Sequence, residues 1–251
     1  MQSRRLHRLS RFRRNKRRLR DRLRQRIFFG EDKETPEAME KPRVVVLTGA
    51  GISAESGIKT FRAADGLWEE HRVEDVATPE GFARDPALVQ AFYNARRRQL
   101  QSPEIAPNAA HQALARLEAA LGDRFVLVTQ NIDNLHEQAG SSHVLHLHGE
   151  LMKVRSVNHP ERIYELSESN CDIHLGDKDP YGDQLRPHIV WFGEAVPMIE
   201  PAIELTEQSD IFIIIGTSLN VYPAAGLLNY VRRRQPVFLI DPMDVYTDRK
   251  S

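Results

Sequence analysis

The sequence predicts an α/β fold: a Rossmann-like, doubly wound parallel sheet carrying a smaller inserted domain. Three observations lead there. Apolar runs of strand length recur at 44–48, 125–129, 144–148, 189–192, 211–215 and 237–240. They are continuous and rich in β-branched residues rather than alternating, as strands buried on both faces of a parallel sheet are. Helical patterns separate them, and the first run passes directly into a glycine-rich turn.

The 251 residues, 41% of them hydrophobic with ten Phe and two Trp, can build a sizeable core. No apolar run approaches the ~20 residues of a membrane span. The single cysteine, Cys171, excludes an intrachain disulfide framework and a multi-thiolate metal site. It fits a reducing compartment, so a cytoplasmic location is expected. Charge is unevenly spread. Residues 1–26 hold 13 of the 35 Lys/Arg and one acid, Asp21, leaving the remainder with a net charge of about −12. Leu6, Leu9, Leu19, Leu23 and Ile27 recur at roughly helical spacing, so 1–29 reads as a basic arm able to touch nucleic acid or anionic lipid. The arm is also similar in composition to an organelle transit peptide, and a merely solvated arm is the competing reading. Residues 30–42, with Pro36 and Pro42, read as a linker. The domain proper is then 43–251.

The first strand leads into Thr48-Gly49-Ala50-Gly51-Ile52-Ser53-Ala54. Gly49, Gly51 and Ala54 fit the G-x-G-x-x-G/A pattern of a pyrophosphate cradle at a helix start, and a tight turn with no ligand is the alternative. Glycine there permits positive φ and lets a phosphate approach the amides. Residues 59–107 show no clear strand and read as a helical insertion ending in a helix over 86–100. Another helix is expected over 109–121, capped by Asn108. The strand over 125–129 delivers Gln130, Asn131, Ile132 and Asp133 to the carboxyl edge of the sheet, where they would hold a ribose or carboxamide, or simply cap a helix. His146 and His148, two apart, face one side of the next strand as a base, as core histidines or, least favoured, as a metal pair. Residues 150–187, with Pro160, Gly176, Pro180 and Gly182, form a second excursion. Trp191-Phe192-Gly193-Glu194 reads as a substrate-facing edge or core aromatics, and Gly216-Thr217-Ser218 as another backbone cradle. A helix follows Pro223, and only eleven residues follow the last strand, where one more helix is expected.

Together, GAGISAESGI (49–58), Phe61-Arg62, TQNIDNLH (129–136), HLHG (146–149), VWFGE (190–194) and GTS (216–218) resemble the sirtuin family of NAD-dependent protein deacylases, in family order over roughly 41–236. The basic arm and residues 43–155 are especially similar to its enterobacterial members. The resemblance implies a lysine deacylase, deacetylase and desuccinylase, that consumes NAD and releases nicotinamide and O-acyl-ADP-ribose. It implies His148 as catalytic base, aided by Asn131 and Asp133. It implies NAD contacts from Gly49, Ala50, Gly51, Ser53, Ala54, Thr60, Phe61, Arg62, Trp68, Gln130, Asn131, Ile132, Asp133, Gly216, Thr217, Ser218 and Asp241. Tyr93 and Arg96 match the pair that accepts acidic acyl groups, with Val190, Phe192 and Gly193 beside the acyl-lysine. A phenol and a guanidinium suit a terminal carboxylate. A monomer acting on acyl-lysine proteins or peptides is expected, with weak nucleic-acid contact through the arm. Three departures stand out. Ser156 replaces the first of the family's zinc cysteines and 157–187 supplies only Cys171, so zinc is not expected. Asp241 stands where the family usually has Asn, and the last adenine-side segment is missing. A non-catalytic NAD or ADP-ribose binding module, or a mono-ADP-ribosyltransferase, would use the same pocket.

Overall fold

The structure, a computed structural model, describes residues 41–59, 67–68, 70–243 and 245. The basic arm, most of the expected linker, and Thr60, Phe61 and Arg62 lie outside the described residues. In chain order, β1 (Val44–Thr48) leads into a 3-10 helix (Ala50–Ser56), then β2 (Leu67–Trp68) and β3 (His71–Arg72). Helices α1 (Val73–Val76), α2 (Pro79–Arg84), α3 (Pro86–Leu100) and α4 (Ala109–Leu121) follow. Next come β4 (Phe125–Thr129), α5 (Leu135–Gln138), β5 (Val144–His146), β6 (Gly149–Ser156), β7 (Ile163–Glu165) and β8 (Leu185–Ile189). The chain continues with α6 (Ile199–Gln208), β9 (Ile211–Ile215), a 3-10 helix (Ala224–Tyr230) and β10 (Val237–Ile240).

Local chemistry sets the helix starts. Thr78 and Asp85 accept the amides of Gly81 and Leu88, and each is followed by proline at the first helical position, where no N–H is needed. Asn108 accepts the Ala110 amide, while the His111 imidazole accepts the amide of Asn108 in return.

The main sheet runs β10-β9-β1-β4-β5, every pair parallel. From β1 the chain winds outward through β4 and β5, then returns to the opposite side of β1 for β9 and β10. That reversal opens a crevice at the carboxyl ends of β1 and β9, where ligands of such sheets bind. Both faces are buried. Val45, Leu47, Phe212 and Ile214 pack with Ala202, Leu227 and Val231, while Val44, Val46, Phe125 and Leu127 pack with Ile52 and Leu114. The third core joins Val76, Val89, Phe92 and Tyr93 of the helical insertion to Leu135, Leu151, Ile189 and Trp191.

Five details differ from the sequence reading. β5 ends at His146, so His148 lies just beyond the strand. The excursion over 150–187 contains an antiparallel sheet, β7-β6-β8. The apolar strand expected over 189–192 ends at Ile189, its pairing residues being the polar stretch before it. The helical insertion includes the antiparallel ribbon β2–β3. Helix α6 has no counterpart in the sequence reading; its Pro201 is harmless because the missing N–H falls among the unpaired amides of a first turn.

Candidate active site

Two loops meet at the switch point. The Gly49 amide donates to Ile215 O (3.1 Å) and the Gly51 amide to Gly216 O (2.8 Å). Neither Gly49 nor Gly51 has positive φ; the left-handed residues here are Gly57 and Gly216 (φ +89 and +62). The glycines are needed for closeness instead. A Cβ on Gly51 would lie 2.8 Å from Gly216 O, and one on Gly216 would lie 2.4 Å from the Ile52 nitrogen. The segment after Gly49 is a 3-10 turn with Ala50, Gly51 and Ala54 on its accessible side.

The carboxyl ends of β1 and β4 are tied by Thr48 Oγ1–H donating to Thr129 Oγ1 (2.8 Å). Thr129 Oγ1 also accepts the Asn131 amide (3.0 Å), which turns the chain so that Asn131 and Asp133 face the glycine loop. Ser53 is the hub between them. Its hydroxyl accepts from Asn131 Nδ2 (3.1 Å) and donates to Asp133 Oδ2 (3.0 Å). The Asp133 Oδ1 atom accepts the Leu135 amide (3.2 Å), so this carboxylate serves the site with one oxygen and α5 with the other. Burial raises the Asp133 pKa, against the hydrogen bonds from Leu135 and Ser53. Behind Ser53 lie His111 and His136, both fully buried, rings edge to face at 4.8 Å. Burial pushes them down to about 4 and about 3, so both are neutral at ordinary pH.

His148 Nδ1 lies 3.0 Å from Gln130 O. A carbonyl can only accept, so Nδ1 carries the proton and Nε2 the lone pair. Burial lowers the His148 pKa more than this hydrogen bond raises it, keeping the ring neutral. His146 is different: Nδ1 meets Asn131 O (3.0 Å) and Nε2 meets Glu137 Oε1 (2.8 Å). Gln130 donates from Nε2 to Thr217 Oγ1 (3.1 Å), linking the β4 and β9 loops. Ile132 O accepts the Leu151 amide (2.8 Å).

The substrate-side residues stand on the loop after β8 and on the helical insertion. The Val190 amide donates to His148 O (2.9 Å) and the Phe192 amide to Ala77 O (3.0 Å). Phe192 and Gly193 are exposed. Glu194 fixes this loop: it accepts the Trp191 amide (2.8 Å) and pairs with Arg186 (2.7 Å) and Arg155 (3.1 Å). The Arg186 guanidinium stacks 3.3 Å from the Trp191 ring centroid. Tyr93 is wholly buried among Trp68, Phe92 and Trp191, and its oxygen accepts the indole N–H (3.0 Å). Arg96 lies over the Phe92 ring (4.8 Å). Trp68 is half-buried against the same aromatics.

The geometry therefore gathers Gly49–Ala54, Gln130–Asp133, His148 and Gly216–Thr217 around one crevice, with Val190 joined to it through His148. Ser218 is exposed, and the half-buried Asp241 has its Oδ1 accepting the Met243 amide (2.9 Å). Gly216 N donates to Ile240 O (3.1 Å), which brings the end of β10 beside the crevice. Sequence reasoning missed Thr48, Thr129, His111, Glu137 and the Glu194–Arg186 pair. A polar residue closing each of two apolar runs was the available signal for the threonines.

A profile described as the Sir2 family matches residues 49–223. The chain belongs to the Sir2 family. It is 67% identical over 232 residues to an NAD-dependent protein deacylase of Escherichia coli K12, covering 91% of this chain and 81% of that protein. A Sir2 homologue solved with NAD superposes with TM-score 0.72 at 38% identity, over 86% of each chain. A Sir2 complex with a p53 peptide and NAD+ gives 0.62 at 32%, over 78% and 80%. Within this Sir2 chain, the donor set of the small sheet does not fit a thiolate-held zinc. Ser156 accepts the His159 amide (3.2 Å), and Cys171 is the lone thiol. Among the described residues no group of three His, Cys, Asp or Glu is placed to hold a metal ion. Asp179 instead closes the 179–183 turn, accepting the Tyr181 and Asp183 amides (both 2.9 Å) with Arg162 at 3.6 Å.

Proposed function

We propose that this chain is an NAD-dependent protein-lysine deacylase acting on acyl-lysine proteins or peptides. The observation that carries the reading is the pairing of a neutral His148, its Nε2 lone pair left by the tautomer, with the buried Ser53–Asn131–Asp133 group across the glycine crevice. The residues fit NAD: two loops whose glycines admit no side chain, and three buried polar side chains at the carboxyl edge of the sheet. When bound, NAD would supply a ribose carbon at which the acyl oxygen of the modified lysine displaces nicotinamide, and a ribose hydroxyl to which the acyl group passes, with water completing the release of the free lysine amine.

The protein's own residues do the rest. Asn131 and Asp133, held by Ser53, orient the nicotinamide side. His148 Nε2 accepts the proton of the ribose hydroxyl as that oxygen attacks the acyl carbon, and the neutral ring needs no prior deprotonation. Val190 and Phe192, tied to His148 O and Ala77 O, hold the acyl-lysine backbone beside the base. Gly49–Ala54, Gly216–Ser218 and Asp241 hold the adenosine and phosphates in this reading, and the family resemblance adds Thr60, Phe61 and Arg62, outside the described residues, as NAD-binding residues. Loss of nicotinamide without acyl transfer, with ADP-ribose attached to protein, would support the transferase alternative. NAD binding without turnover would support a binding module.

Tyr93 and Arg96 select acidic acyl groups in this reading. They stand three residues apart on one face of α3, and Tyr93 retains its own hydroxyl proton for donation because the indole uses the oxygen as acceptor. Desuccinylation lost in Arg96→Met with deacetylation retained would support this; equal loss of both would count against it. We place the protein in the cytoplasm as a monomer, its arm making weak nucleic-acid contact. Among the described residues no helix is long and apolar enough to cross a membrane. Salt-dependent nucleic-acid binding that vanishes on deleting residues 1–29 tests the arm.

A further inference from the structure

We propose that His146 is a positioning residue: as an imidazolium it bridges the Asn131 carbonyl and the Glu137 carboxylate, and so holds the loop carrying Asn131 and Asp133 in its working posture. The inference rests on the deacylase reading, in which that loop faces the nicotinamide. The geometry is specific. Nδ1 is 3.0 Å from Asn131 O and Nε2 is 2.8 Å from Glu137 Oε1. Both partners only accept, so both bonds form only when both nitrogens carry hydrogen and the ring is a cation. The bridge joins three segments. His146 ends β5, Asn131 lies in the loop after β4, and Glu137 lies on α5 at the far end of that loop. The His146 side chain is only 8% exposed, so the ring is largely shielded from water, while that of Glu137 is 37% exposed.

The surroundings support a cation. The ring is faced by Glu137 and His136 of α5, Asp133 of the loop and Glu150 of β6. Burial alone would lower its pKa, but the Glu137 carboxylate, the Asn131 carbonyl and Glu150 outweigh burial and raise it. The charge also acts forward, since His146 is among the groups that favour ionised Asp133. His148, two residues on, pins the preceding carbonyl of the same loop with one nitrogen and stays neutral. The pKa values of the two histidines are therefore shifted in opposite directions. Because the pKa of His146 is raised, the clamp is complete below the ordinary histidine range and is lost as pH rises through the raised value.

The test is a pH titration of 15N-histidine-labelled protein by NMR, without NAD, alongside NAD affinity over the same range, for wild type and Glu137→Gln. The His146 signal is assigned by its absence in His146→Gln. The expected result is a ring protonated on both nitrogens below a midpoint that lies above the ordinary range, with the amides of residues 131–135 moving at the same midpoint. Glu137→Gln should lower that midpoint. It should weaken NAD binding about tenfold where only wild type remains clamped, the worth of one charge-assisted hydrogen bond, and leave acid-pH binding unchanged. A His146 that titrates at or below the ordinary range, amides that ignore it, or an equal loss of affinity at every pH would overturn the proposal. If wild type binds no NAD while the NMR midpoints behave as expected, the deacylase reading fails and the clamp stands.

Discussion

Because the Gln130 carbonyl fixes the His148 proton on Nδ1, the basic lone pair on Nε2 is set by the backbone before any ligand arrives. Burial depresses the pKa of this ring, so the base form persists into mildly acidic solution, and the acid limb of free-lysine peptide formation should lie below about 6.5. His148→Tyr is expected to remove general-base catalysis, at least ~100-fold in kcat, while its thermal unfolding stays near that of wild type. Retained turnover would defeat the assignment. Ser53→Ala tests the hub: it strands Asp133 Oδ2 and Asn131 Nδ2, both buried, and should cost about 1–3 kcal/mol of stability together with NAD affinity. Calorimetry of unfolding and of NAD binding on one sample reads both effects.

At the level of elements, the close approach of the β1 and β9 loops explains why Gly216 tolerates no replacement. Gly216→Ala combines a left-handed φ of +62 with a Cβ 2.4 Å from the Ile52 nitrogen, so the loops must part and NAD binding should fall sharply. Glu194→Gln acts on the other side of the crevice. It loosens two arginines and the Trp191 amide, and is expected to raise the KM for the peptide more than the KM for NAD. The parallel strands 44–48, 125–129, 211–215 and 237–240 were legible because buried parallel strands are continuous apolar runs. The β6–β8 sheet was not. Its strands are polar on one face, as in Lys153, Arg155 and Arg186, and their pairing is antiparallel and non-local. The crevice residues were legible because they follow strand ends directly. Thr48, His111 and Glu137 were hidden, because their role is to orient other side chains and depends on contacts between distant segments.

Taken over the whole molecule, two buried histidines make stability sensitive to acid. His111 and His136 take up protons only near about 4 and about 3, whereas in the unfolded chain they do so near 6.5. Their folded pKa values are depressed, so the unfolded state binds more protons and stability falls as pH drops below about 6.5, by up to about 1.4 kcal/mol per pH unit for each. Thermal unfolding at about pH 7 and about pH 5 measures this, and His111→Gln should flatten the slope. The same fold places a neutral base, a buried carboxylate and a glycine cradle on one edge of one sheet, the arrangement on which deacylation rests. Its most direct measurement is product analysis by mass spectrometry after mixing the protein with NAD and an acetyl-lysine or succinyl-lysine peptide. Equal amounts of free lysine peptide, nicotinamide and O-acyl-ADP-ribose are expected, all abolished in His148→Tyr. Intact acyl peptide with NAD unconsumed, or ADP-ribose transferred to protein while the acyl group stays in place, would contradict it.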